Sequence, residues 1–134
     1  MTEAHRTDQA ADQADWPTEI RLSRDKRTLH VAFASGAAYA LPAEYLRVES
    51  PSAEVQGHAP SERKWLPGKR DVEILGVAPV GNYAVKLTFD DMHDTGIYAF
   101  DFLRRLGEEQ ATRFARYEEE LAAQGLSREP AKRR

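Results

Sequence analysis

A chain of 134 residues has room for one hydrophobic core and not for two. Its 41% hydrophobic and 31% charged residues are a globular composition, and a formal charge of -3 lacks the overall basic excess of a nucleic-acid binder. The absence of cysteine excludes disulfides, thiolate catalysis and Cys-ligated zinc or iron–sulfur clusters, and it fits a cytoplasmic location.

Residues 1–15 carry Glu3, Asp8, Asp12 and Asp15 without any apolar period. They are expected to form a disordered tail and cannot be a signal peptide. No apolar run approaches the roughly 20 residues that span a bilayer. From Trp16 onward Ile20 and Leu22 alternate with polar neighbours, residues 23–27 read as a turn, and Leu29, Val31 and Phe33 alternate again. Ser35 and Gly36 supply a tight turn into a third strand through Tyr39 and Leu41, which predicts an antiparallel meander.

Pro42 suits a helix start, with Tyr45, Leu46 and Val48 as a short apolar face ended at Ser50 and Pro51. Residues 50–70 are polar and interrupted by Pro51, Gly57, Pro60, Pro67 and Gly68, a long connection of the functional or mobile kind. Strand character returns at Val72, Ile74 and Val77. After a turn at residues 79–82 it resumes with Tyr83, Val85, Leu87 and Phe89 on one face. Ile97 and Tyr98 suggest one more strand, and Phe100, Leu103 and Leu106 take helical spacing that Gly107 should interrupt. The last helix is predicted over residues 108–124, with Gly125 at C′ and Leu126 folding back on Leu121. A basic tail follows over residues 127–134. The expected fold is α+β: a mostly antiparallel sheet, a short helix after the first meander and two C-terminal helices.

Three segments together carry a family likeness. They run from Leu46, Arg47 and Val48 through Ser50, Pro51, Ser52 and Val55 to Gly57 and His58; from Val80 through Gly81, Asn82 and Tyr83 to Val85; and from Phe89 through Asp90, Asp91, His93 and Asp94 to Tyr98. The pattern resembles the gamma-butyrobetaine hydroxylase-like N-terminal domain proteins (domain of unknown function 971), here as a stand-alone bacterial member spanning residues 16–126. The family usually has Gly where this chain has Met92, so a tighter or displaced turn is expected before His93.

In the hydroxylases this domain holds a structural zinc through three cysteines and a histidine. By that resemblance the ligand positions fall on Ser50, Ser52, Val55 and His93. Hydroxyls and a valine are poor or impossible zinc ligands, so the zinc is expected to be absent, replaced by hydrogen bonds from the serines and packing by Val55. No cofactor is expected.

The third of these segments also bears groups capable of chemistry of their own. Asp90, Asp91, His93 and Asp94 read first as turn caps and a backbone-bonded imidazole. The alternative is a small metal-binding protein using His93, Asp91, Asp94 and His58. A non-haem iron site needs His-x-Asp/Glu, and the four histidines are followed at that spacing by Thr7, Ala32, Pro60 and Thr95. Gly68 and Lys69 lack the rest of a phosphate-binding loop. No serine has a nucleophile-elbow context. The chain is therefore expected not to be an enzyme.

Arg63, Lys64, Trp65, Lys69 and Arg70 make a basic stretch with one aromatic. A nucleic-acid-binding accessory through residues 63–70 is the second alternative, against a solvated loop with Trp65 tucked onto the sheet. The leading expectation is a non-catalytic interaction or adaptor domain with a protein partner and no membrane role. Similar domains attached to a P-loop ATPase that carries iron–sulfur clusters imply such a carrier, or its client, as partner. The expected gripping surface is residues 50–58 with Asp91, His93 and Tyr98 nearby.

Overall fold

The computed structural model of the chain describes residues 15–130. The predicted disordered segment, apart from Asp15, and the final basic run of Lys132, Arg133 and Arg134 lie outside them. Strands β1 (Pro17–Leu22), β2 (Thr28–Phe33) and β3 (Ala38–Pro42) form an antiparallel meander in that order. Inward residues alternate as the sequence dictates: Leu29, Val31 and Phe33 on β2 are buried while their neighbours are only half-covered.

Helix α1 (Ala43–Val48) starts directly behind Pro42. Residues 50–70 are not structureless: Ser52 caps α2 (Ala53–Gln56) by accepting from the Glu54 N–H, and a 3-10 turn follows at Pro60–Glu62. Strands β4 (Ile74–Val80), β5 (Ala84–Phe89) and β6 (Gly96–Ala99) form a second antiparallel meander. Helices α3 (Phe100–Glu108) and α4 (Gln110–Ala123) complete the α+β arrangement.

Three sequence expectations need correction. The strands form two three-stranded sheets rather than one, because each meander pairs only with itself. The sheets meet through a shared core of Leu29, Val31 and Leu41 from one and Ile74, Leu87 and Phe89 from the other, joined by Leu103 and Leu106 of α3. Tyr83 does not share the inward face of Val85 and Leu87, since it sits in the turn and is 55% exposed. Gly107 does not interrupt α3. A Cβ there would stand 2.3 Å from Cγ of Tyr39, so glycine is what lets the helix pack this closely on β3.

The C-terminal cap follows the expected pattern. Gly125 has φ +71°, the Leu126 N–H donates to the Leu121 carbonyl at 2.9 Å, and the Gly125 N–H donates to the Ala122 carbonyl at 3.0 Å. Beyond it, the chain turns back along the long loop. Gly68 and Arg70 donate to the carbonyls of Ser127 and Arg128, and Arg128 grips the buried Glu44 with two bonds of 2.7 and 2.8 Å. No helix among the described residues is long and apolar enough to cross a membrane.

Candidate functional site

The turn after β5 and the segment after α1 meet at one buried point. The Asp91 carboxylate accepts from the His93 N–H at 3.1 Å, and the Phe89 N–H donates to the His93 carbonyl, so the loop is tied to itself before it reaches anything else. Met92 occupies the left-handed region at φ +75° with its side chain 90% exposed. The backbone here thus keeps the conformation that suits glycine, with a methionine strained into it.

His93 is 5% exposed. Its Nε2 lies 2.9 Å from Ser50 Oγ and its Nδ1 lies 3.0 Å from Oε1 of Glu54. A carboxylate accepts only, so Nδ1 carries the proton, and Nε2 accepts from the Ser50 hydroxyl. Ser50 Oγ in turn accepts from the Ser52 N–H at 3.2 Å. Burial, and after it the Arg47 guanidinium, push the imidazole below its ordinary value against the opposing pull of Glu54 and Asp91.

Around this relay the charges are matched. Asp91 takes Arg47 Nε at 2.7 Å and Lys69 Nζ at 2.6 Å. Burial raises the Asp91 carboxyl, but Lys69 and Arg47 outweigh it and hold the group below the usual carboxylate range. Tyr98 is fully buried, donates to the Leu46 carbonyl at 2.5 Å, and has its phenol pushed up by burial. Glu49, 2% exposed, is held by Arg63 at 3.2 Å and Arg113 at 2.9 Å.

Of the four positions of the hydroxylase-type zinc site, Ser50 bonds His93 and Ser52 bonds Ser50, and the set does not fit a zinc ion. Ser50 spends its hydroxyl on the imidazole, Ser52 bonds Thr95 Oγ1 at 3.0 Å, and Val55 is 1% exposed and apolar. The other candidate metal ligands do not converge. Asp94 is exposed, and His58 lines a separate cleft with Gln56, Gly57 and Arg63. Among the described residues no three His, Cys, Asp or Glu side chains are placed to hold an ion.

Three of the four cations at residues 63–70 are engaged internally: Arg63 with Glu49, Lys69 with Asp91, and Arg70 with Glu129. Trp65 packs on the C-terminal helix rather than on a sheet. It joins Val48, Tyr117 and Leu121, between Arg63 at 4.0 Å and Arg116 at 5.1 Å, because the Tyr117 hydroxyl anchors the adjacent Leu66 carbonyl at 2.5 Å. Ser50, His93 and Tyr98 are interior and cannot form a gripping surface. Glu54 was missed by sequence reasoning. Its one local signal is the capped turn that begins at Ser52, and nothing in that turn points toward His93.

An open cleft of about 400 Å³ lies beside this interior. Pro51 and Gln56 form one wall, Ile97 and Ala99 of β6 another, and Phe102 with Arg105 of α3 the third.

Residues 20–104 match the family model described as "Gamma-butyrobetaine hydroxylase-like, N-terminal". No curated protein matches the chain. Among solved structures it is similar to two determined by NMR in solution. One is 43% identical with TM-score 0.75, the match covering 89% of this chain and 94% of that one. The other is 41% identical with the same TM-score, covering 90% of each. It is also similar, at 41% identity and TM-score 0.56, to a crystallised protein of unknown function in the DUF971 family from Acidithiobacillus ferrooxidans, over 68% of this chain and 91% of that one.

Proposed function

Because this chain belongs to the gamma-butyrobetaine hydroxylase-like N-terminal family, we propose that it acts as a non-catalytic interaction domain. The observation that carries this reading is the fate of the polar centre. Both ring nitrogens of His93 are satisfied, one by Ser50 and one by Glu54. The order serine–imidazole–carboxylate matches that of hydrolytic triads. Yet Ser50 is 0% exposed and lines none of the clefts described, so no acyl carbon has a route to its oxygen. The group holds α1, α2 and the β5–β6 turn together by hydrogen bonds.

What remains for function is the outer surface. The family resemblance supports a partner among proteins of iron–sulfur or cofactor assembly, a carrier ATPase or its client. Affinity capture at native expression level tests this. Recovery of such an assembly protein, lost on competition with untagged chain, is the expected result, and its consistent absence would count against the reading. Labelling with a fluorophosphonate tests the non-catalytic half: Ser50 should stay unmodified in the folded chain, and stoichiometric modification there would overturn it.

A further inference from the structure

The second sheet ends in an open edge. The Phe100 N–H bonds the Tyr83 carbonyl, which makes Val85–Tyr98 and Leu87–Gly96 the hydrogen-bonded pairs of the β5–β6 ladder. The alternate residues Ile97 and Ala99 therefore turn their N–H groups, and Ile97 its carbonyl, away from β5. β6 is the last strand of its sheet, and among the described residues no backbone partner meets these groups. Residues 50–54 shield the beginning of the strand, where Ser52 and Glu54 bond Thr95. Past that point Ile97 and Ala99 line the arginine cleft, and Ile97 is 45% exposed. An uncovered edge of this kind is a template for a further strand.

The cleft also sets the chemistry of what would be added. Tyr98 stacks on Phe102 at 6.2 Å, so a strand residue opposite Tyr98 points its side chain toward Phe102 and the cleft. Arg63, Arg105 and Arg113 line it, against Glu49 and Asp101. Glu49 is buried and already neutralised by Arg63 and Arg113, whereas Arg105 has no acidic partner among the described residues and lies 5.2 Å over Phe102. A strand residue opposite Ile97 would instead pack beside the half-exposed Ile97 side chain, with Lys86 the next residue across that face. The two sides ask for alternating acidic and apolar side chains.

We propose that the β6 edge and the arginine cleft beside it dock an extended acidic segment of a partner protein, added as a fourth strand to the second sheet. This deepens the interaction-domain reading and rests on it.

The probe is a seven-residue peptide alternating valine and glutamate, with its valine–lysine counterpart as control, titrated into the full chain labelled with nitrogen-15. The expected result is amide shifts centred on Ile97, Ala99, Phe102 and Arg105, and slowed exchange of the Ile97 amide. The lysine peptide should bind at least about tenfold more weakly. Ile97→Pro removes an outward N–H without touching the ladder, a place where an edge strand tolerates proline, and should abolish binding with the fold intact by circular dichroism. Arg105→Glu, at an exposed site, should weaken binding about tenfold while leaving stability unchanged.

Binding that survives both variants, an equal response to the lysine peptide, shifts reproduced by phosphate alone, or a dimer of the chain that Ile97→Pro dissolves would each overturn the proposal. If the peptide fails to bind while captured assembly proteins still compete with untagged chain, the edge assignment falls and the interaction reading stands. Loss of both removes the reading itself.

Discussion

His93 shows how a residue that could do chemistry becomes part of the scaffold. Its native pKa is lowered, chiefly by burial, so the unfolded chain binds the proton more readily than the folded one. Stability from this site is complete above the unfolded value of about 6.5 and is lost as pH falls from there through the lower native value. The thermal midpoint of the native chain should therefore fall between pH 7 and 5. His93→Gln should flatten that slope while lowering the midpoint at pH 7. An unchanged slope would assign the loss to other groups. Met92 makes the opposite case, a strained residue with nothing to hold it. Met92→Gly should relieve the left-handed backbone and raise stability by about 0.5–1 kcal/mol in urea unfolding, since the exposed side chain has no packing to lose.

Elements are placed by close approach as much as by apolar pattern. α3 rests against Tyr39 of β3 through Gly107, and Gly107→Ala would force its methyl into the tyrosine ring. The cost should be about 1–3 kcal/mol, above any gain in helix propensity, and it is read from the denaturation midpoint. Gly96 does the same for β6, where a Cβ would stand 2.9 Å from Ser50 Oγ and from Cε1 of Tyr98. The relay that includes Ser50 therefore also fixes how near the strand lies to residues 50–54.

At the scale of the whole molecule, buried carboxylates are matched with arginines far away in sequence. Glu44 on α1 is held by Arg128, 84 residues later, and Glu49 by Arg113, 64 residues later. Arg128→Ala would leave Glu44, 6% exposed, without its cation. It should cost about 1–3 kcal/mol and speed amide exchange at Gly68 and Arg70, whose N–H groups bond the carbonyls of the strap that Ser127 and Arg128 form along the loop. Unchanged exchange there would show that the strap holds without the ion pair.

Local periodicity made the α+β class legible, along with the first meander, the β4–β5 hairpin, the start of α1 at Pro42 and the cap at Gly125, because each depends on neighbours within a turn or a hairpin. The missing cysteines were enough to rule out a thiolate metal site. Packing alone decided that the strands split into two sheets, that Gly107 lies inside α3 with the break two residues later at Glu109, and that Glu54 completes the His93 relay. Packing also spent the basic loop on Glu49, Asp91 and Glu129. Which charges lose their water depends on what folds over them, and pairings between distant segments leave no period in the chain.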